Sequence, residues 1–587
     1  MKKISLNSIL SLLIGAIVFV VCLTLNKFGI DISLQSTLAY FLSTCFLSFI
    51  LLQPYFLGKI KHLLNDIDWA ETTISYYKSI PHLYKKSFWL SFLFINICYL
   101  FHTINFMWGA YDWEAIRFDV NHSPYDNYGN FSAFALQNLL FDGKILPVIN
   151  NLWSFMGLSF AGILTANYLK APKTVASYTI ITLFFALSPY TLGWLYHTQN
   201  TLGNLTLPAF ILTAIFLSQR ATNSLNHSFA YNLCSIGLFI LSLGTYIGSI
   251  NFILTILTGK ILITVITENQ TIKEASSRQL QAFANLTASV LIYIFIIMLM
   301  KLNTSSYIFI NFTPDLAHIK LLFSSIFTQF ITTYPFIDCS LKVFYLTIVL
   351  TGIFALIFKA PSANTALKCL CLLPLMLLCS KISILFTAHI NQSTNILDDF
   401  YGLNALYTIV LVLLLKLDST YLKRFIYALS CLIIFMCFVR VSYALKVWKF
   451  GFDAETKLAE RIITRLEKME NFNIDRQYKL LQIGSIPMRS RYYLAKENEL
   501  KNEELLSLPY YQEETSSKAY NFFYQTDFLS QNTSLKLASR DDMIKDFILN
   551  SARPWPAKES ILITGEHIVF ILDEKSLYEA QQYLLKN

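Results

Sequence analysis

Five carboxylates crowd one short segment of the chain: Asp112, Glu114, Asp119, Asp126 and Asp142, with Arg117 among them. Asp112 and Glu114 lie in an aromatic run with Trp108, Tyr111 and Trp113, residue types that sit at the level of lipid headgroups. A carboxylate at that depth loses part of its hydration, which raises its pKa toward the range useful for taking a proton. The plainer reading is a solvated acidic loop that repels anionic lipid. Asp398 and Asp399, in the loop after the eleventh span, form a second acidic pair. Lys381 stands in an otherwise apolar stretch, Leu377-Leu-Cys-Ser-Lys-Ile-Ser-Ile-Leu-Phe. An ionisable group there is costly and usually faces a bundle interior or a polar cavity. It either holds the phosphate of a lipid carrier as a point charge or snorkels to the interface.

The elements that must position these groups are membrane spans. Thirteen apolar stretches are assigned at 8–25, 36–57, 87–108, 150–169, 175–195, 202–218, 229–247, 250–267, 283–300, 343–358, 367–387, 402–415 and 425–441. Most are long enough to cross a hydrocarbon layer of about 30 Å as a helix, and a helix satisfies its own backbone in lipid. The composition agrees, with 55% hydrophobic and 14% charged residues. Met1–Leu25 has the basic start and apolar run of a secretory signal but no small-x-small cleavage site, so it reads as a retained first span.

Placing Lys2 and Lys3 in the cytoplasm puts 18 Lys and Arg on the inner side, Lys260 among them, against 6 in the outer loops. The positive-inside rule selects that orientation. An odd number of spans then sends 442–587 to the outer side, as a separate domain after the membrane domain 1–441. Its 20 Lys and Arg nearly balance 21 Asp and Glu. The basic surplus of the remainder therefore sits in short loops, where it sets orientation and does not imply nucleic acid. Two outer loops are long, 109–149 and 301–342. Ser132–Phe141 in the first and Ile319–Phe327 in the second read as amphipathic helices on the outer leaflet. Such helices suit a lipid substrate entering sideways, or simple packing on the bundle. The second loop carries two further acids, Asp315 and Asp338.

The terminal domain reads as a small α/β module. A helix runs from Ala454 to Met469, a strand from Lys479, and Ser560–Thr564 with His567–Leu572 form a hairpin about Gly565-Glu566. The ten cysteines all precede residue 438 and form no disulfide framework. Cys369 and Cys371 have neither the spacing nor the partners of a zinc site. Walker loops, dinucleotide fingerprints and internal repeats are absent from the sequence.

Three segments together resemble the glucosyl transferase II family of bacteria, membrane enzymes that add glucose to O-antigen. The first is Asp112-Trp-Glu with Tyr128-Gly-Asn-Phe and Leu139-Leu-Phe-Asp-Gly-Lys-Ile-Leu-Pro147, similar to that family's acidic pair, Gly-Arg-aromatic turn and small helix ending in proline. The second is Lys457-Leu-Ala-Glu-Arg-Ile-Ile with Leu481-Gln-Ile-Gly484, and the third Arg553-Pro-Trp-Pro556 with Ile568-Val-Phe-Ile-Leu572. Asn130 stands where the family carries arginine, and the segment Asp398–Gly402 lacks the family's Pro-Arg. Both departures thin the binding of an anionic donor.

The resemblance implies an all-α polytopic bundle of about 13 transmembrane helices, GT-C like, in a bacterial inner membrane, with an extracytoplasmic α/β domain. It implies a polyprenyl-phosphate sugar as donor, a lipid-linked or surface glycan as acceptor, and no cofactor. Asp112, with Glu114 second, takes the acceptor proton, while Lys381 and Arg117 attend the donor phosphate. Asp126, Asn130, Asp398 and Asp399 are further site candidates. A flippase for lipid-linked sugars, a diverged inactive member and a structural protein are the competing readings.

Overall fold

The computed structural model describes residues 77–105, 107, 131–141, 146–195, 198–223, 228–268, 270–303, 316–331, 339–359, 363–386, 396–417, 419–473, 475–476, 478–484, 529–532, 535 and 541–586. The chain divides into two compact units, one of Met1–Lys86 with Val290–Ile308 and one of Ser87–Ser289 with Phe309–Asn587. In the first, the Lys85 ammonium donates to the carbonyls of Tyr77 and Lys78 (3.2 and 3.3 Å). The first also holds the start of the helix His82–Ile104 and, from Val290, the second half of the helix Leu280–Asn303; the second carries the rest.

The described helices are α1 (His82–Ile104), α2 (Phe131–Phe141), α3 (Pro147–Tyr168), α4 (Val175–Ala186), α5 (Thr191–Leu195), α6 (Thr198–Asn223), α7 (Ser228–Leu243), α8 (Ser249–Thr267), α9 (Ile272–Ser277), α10 (Leu280–Asn303), α11 (Leu316–Ile331), α12 (Cys339–Lys359), α13 (Ala363–Cys379), α14 (Ile396–Leu415) and α15 (Thr420–Leu466). The first two assigned spans lie outside the described residues; each of the others overlaps one of these helices. Among the described residues, six helices are long and apolar enough to cross a membrane, on α1, α3, α6, α8, α10 and α15.

Which faces are buried identifies the solvent. On α1, Trp89, Leu93, Ile97, Leu100 and Ile104 form an exposed apolar stripe, while Ser87, Ser91, Cys98 and His102 point inward. On α12, Val343, Leu346, Leu350, Phe354 and Ile357 are likewise exposed. In water this arrangement would be inside out; in lipid it is the expected one, because lipid tails are as apolar as leucine. The protein is a helical membrane bundle.

Helix α8 runs through its middle, nearly all buried, and packs on α13 and α14. Helices approach closely where small residues allow it. At Gly162 of α3, a Cβ would overlap both backbone and side chain of Thr182 on α4. Side-chain bonds add to this: the Tyr99 hydroxyl donates to the Ala186 carbonyl (3.1 Å), and Ser177 and Tyr427 hydroxyls lie 2.6 Å apart.

Helix α15 joins the bundle to the terminal domain without interruption. Ser419 caps it, its hydroxyl accepting from the Leu422 amide (3.4 Å), and 47 residues make it about 70 Å long at ~1.5 Å per residue. The apolar span ending at 441 and the amphipathic segment from Ala454 are thus one helix, where the hydropathy pattern suggests two. Its last turns supply Ile462 and Leu466 to one face of a sheet.

That sheet comprises β1 (Tyr478–Ile483), β2 (Leu529–Asn532), β3 (Ile561–Thr564) and β4 (His567–Ile571), in the order β2-β1-β4-β3. The β3–β4 hairpin turns where expected, at Gly565-Glu566. β1 pairs in parallel with both β2 and β4, and its residues alternate between the two faces. Tyr478, Leu480, Ile568 and Phe570 face α15, while Leu481, Ile483, Val569 and Ile571 meet α16 (Asp542–Asp546) and α17 (Glu574–Lys586). His567 takes a strand-end place opposite Thr564 and Lys479. Lys479 bonds Glu566 (2.7 Å), whose carboxyl is held below the ordinary carboxylate range by that bond and charge.

Trp555 closes the α15 face. The Arg465 guanidinium lies 4.4 Å over its ring and donates to the carbonyls of Pro556 and Ala557 (3.1 and 2.9 Å). Truncating so large a buried side chain costs about 3–5 kcal/mol. Trp555→Ala in the full-length protein should therefore loosen this domain alone. Urea unfolding followed by limited proteolysis would read it, and a change under about 1 kcal/mol would show that the tryptophan merely rests on the surface.

Candidate functional site

The sequence assigns one end of the bundle to the outer side, and there several helices break or begin on polar residues. α13 ends at Cys379 and the chain turns through Ser380 and Lys381 into a short 3-10 segment, Ile382–Phe386. Lys381 is thus in a turn between helices, although the hydropathy pattern places it inside one continuous span. Lys381 is only 1% exposed. Two bonds to α8 fix the turn: the Asn251 side-chain Nδ2 donates to the Ser383 hydroxyl, and the Ser383 backbone N–H donates to the Asn251 side-chain Oδ1 (both 2.8 Å).

α14 approaches the same turn. A Cβ on Gly402 would overlap the Ser380 carbonyl oxygen, so only glycine allows this contact. Next to it, Tyr401 belongs to an aromatic group. Its ring stacks on Tyr246 (5.6 Å), Tyr246 meets Trp194 edge-on (4.8 Å), and Trp194 lies 5.9 Å from Tyr401. The Tyr401 hydroxyl donates to the Asn204 carbonyl (2.9 Å). Aromatic groups of this kind offer flat apolar faces with polar edges.

Over this end lies α2. The Ser132 N–H donates to the Gly244 carbonyl (2.8 Å), two residues before Tyr246, and Ser132, Ala133 and Gln137 are buried while Leu139 is 81% exposed. The helix expected in the first long loop is present and rests on the bundle. α11 is the one expected in the second, with Ile319, Phe323 and Phe327 exposed and Leu322 and Ile326 buried.

Several buried polar atoms here lack a hydrogen-bond partner among the described residues: Asn150 Nδ2 and Oδ1, Asn151 Oδ1, Ser249 Oγ and Asn404 Oδ1. Asn150 and Asn151 belong to the first turns of α3, Ser249 opens α8, and Asn404 donates to the Phe185 carbonyl (2.8 Å) with its other end unused. Buried amides and hydroxyls left over in this way call for a partner such as a water, an ion or a polar ligand. Such groups both donate and accept, as the hydroxyls of a carbohydrate do.

Of the sequence candidates, Asp112, Glu114, Arg117, Asp126 and Asn130 lie outside the described residues, as do Asp315 and Asp338. Asp398 and Asp399 fall in the first turn of α14, not in a loop, where the helix dipole favours acids. Lys381 is joined through Ser380 and Gly402 to the aromatic group. That group gave no local signal: its members lie on three widely separated segments. Lys260, counted among the inner cations, is in fact buried within α8. No family model matches this chain, and no curated protein or solved structure matches it either.

Proposed function

We propose that this chain is a GT-C type glycosyltransferase of about thirteen spans. It lies in a bacterial inner membrane, with its N-terminus cytoplasmic and its α/β domain outside. By the family resemblance it moves glucose from a polyprenyl phosphate to a lipid-linked or surface glycan such as O-antigen. The observation that carries this reading is the outer-end arrangement: a buried lysine beside an aromatic group and unsatisfied amides, beneath the helix that follows the acidic loop. A lipid-phosphate donor fits a site at that depth and needs no nucleotide-binding motif.

The mechanism follows from the roles. Asp112 accepts the proton of an acceptor hydroxyl as its oxygen bonds to the anomeric carbon. The bond from that carbon to the phosphate oxygen breaks with inversion, and polyprenyl phosphate departs. Lys381 and Arg117 stabilise the charge developing on the leaving group. Glu114 supports Asp112.

Loss of a hydrogen-bonded charge from a buried phosphate contact is worth ~1.5–3 kcal/mol. Lys381→Met in proteoliposomes should therefore raise the donor KM about tenfold or more, with the melting temperature kept and activity partly restored by Lys381→Arg. An unchanged donor KM would move the phosphate elsewhere. The interruption of α13 at Lys381 also favours a second reading, since transporters for anionic substrates use broken helices. Flipping of the polyprenyl-phosphate sugar without transfer, in the same proteoliposomes, would decide for it.

A further inference from the structure

At the opposite end of the bundle, which the charge bias assigns to the cytoplasm, several helix ends surround a cavity of about 680 Å³. Its walls come from the end of α3, the last turns of α6, the second half of α8 and the α9–α10 junction. Four cations line it, Lys170, Lys173, Lys260 and Arg278. Basic residues at inner helix ends are ordinary in themselves. Lys260 is not of that kind. It lies about two turns inside α8 and is 6% exposed. Its ammonium makes no salt bridge or hydrogen bond among the described residues; it lies 5.4 Å from the centre of the Tyr168 ring, and the Glu268 carboxylate reaches it only through longer-range charge.

The surrounding polar groups are arranged to donate. The Gln279 side-chain oxygen accepts from the Tyr168 hydroxyl (2.8 Å) and the Gln219 amide (3.2 Å), so the Gln279 NH₂ is left for another acceptor. Lys170 is held where it is at a backbone cost. It has φ 55° at the position after the α3 cap, where glycine is usual. The Lys170 N–H donates to the Asn167 carbonyl (3.0 Å) and the Ala171 N–H to the Ala166 carbonyl (2.8 Å). The fixed acid at the rim is Glu268, 2.6 Å from Lys170 and 3.5 Å from Arg278. Burial pushes its carboxyl up, but the bond and charge of Lys170 and the charges of Lys260 and Lys416 outweigh this and hold it below the ordinary range. Among the described residues the lining thus holds four cations and no carboxylate, and Glu268 meets two of those cations from beside it.

We propose that this cavity binds a phosphate monoester or diphosphate group, gripped from inside by Lys260 and at the rim by Lys170, Lys173 and Arg278, with Glu268 as the internal anion it displaces. Basic pockets between spans on the cytoplasmic side take anionic headgroups, and 680 Å³ lies in the size range of small-ligand sites. The same chemistry would serve a free phosphate compound. The site is separate from the outer-end arrangement and does not depend on the transfer reaction.

The test uses full-length protein in phosphatidylcholine nanodiscs. In one arm pyrophosphate is titrated by calorimetry. In the other, phosphatidic acid is mixed into the nanodisc and retained lipid is counted by native mass spectrometry. Saturable binding, weakened about tenfold or more in Lys260→Met and tightened several-fold in Glu268→Gln, is the expected result. Retention of phosphatidic acid without pyrophosphate binding assigns the source as a lipid headgroup; pyrophosphate binding assigns it as a soluble phosphate. Saturable binding in neither arm overturns the proposal, and so does unchanged binding in a folded Lys260→Met. Glu268→Gln stands on its own if Lys260→Met fails to fold: its affinity staying level or falling also overturns it.

Discussion

Asp112→Asn is expected to insert and fold like the parent protein and to lose about 10²–10⁴ in the rate of sugar transfer, the usual loss for a positioned general base. The substitution keeps shape and removes only the charge that takes the proton. Glu114→Gln should be milder. On a helix, residues two apart lie on nearly opposite sides of the axis, so both cannot reach one hydroxyl; on an extended segment they would share a face, and the two losses would be closer. The measurement is single-turnover transfer from a polyprenyl-phosphate sugar in purified membranes. Full activity of Asp112→Asn with loss in Glu114→Gln would exchange the roles. Full activity in both would shift the base to Asp315, Asp338 or the Asp398-Asp399 pair.

The second large effect is expected at Gly402. An added Cβ there would overlap the Ser380 carbonyl oxygen, a backbone atom that cannot rotate away as a side-chain tip can. Either the end of α13 or the start of α14 must shift. Overpacking of this kind costs ~1–3 kcal/mol and sometimes more. Lys381 follows Ser380 directly, so Gly402→Ala should both lower the melting temperature and raise the donor KM. Gly237→Ala is the control, because nothing lies within 4 Å of a Cβ built there; alanine in a helix should leave stability unchanged or raise it slightly. Equal melting temperatures for the two variants would show that the α13–α14 contact yields freely.

The bundle helices were readable from the sequence because a membrane helix needs little beyond length and apolarity: its backbone bonds are internal, so no distant partner has to be inferred. The hairpin at Gly565-Glu566 was readable for a similar reason, its two apolar runs meeting at a turn. β2 was not. Leu529–Asn532 is short and mostly polar, and pairing with β1 makes it a strand. The continuity of α15 was also hidden, since Lys446, Lys449 and Asp453 interrupt the apolar period without interrupting a helical backbone. Lys381 was recognised as costly from its neighbours, but its turn was not, because the break depends on Asn251 of a different helix. Lys260 was grouped with the inner charges because a tally by loop ignores depth. Trp194, Tyr246 and Tyr401 meet only in the folded molecule.

Helix α15 makes the link between membrane and terminal domain a torsion rod. A flexible linker would let that domain wander at any height and heading; a continuous helix sets both. Each residue inserted between Lys446 and Ala454 would swing the sheet by about 100° and lift it by ~1.5 Å. A four-residue insertion would nearly restore the heading, while a two-residue insertion would turn the domain to face almost the other way. Length variation along this stretch is therefore felt as rotation, and whatever the sheet presents stays aimed at one sector of the surface below it.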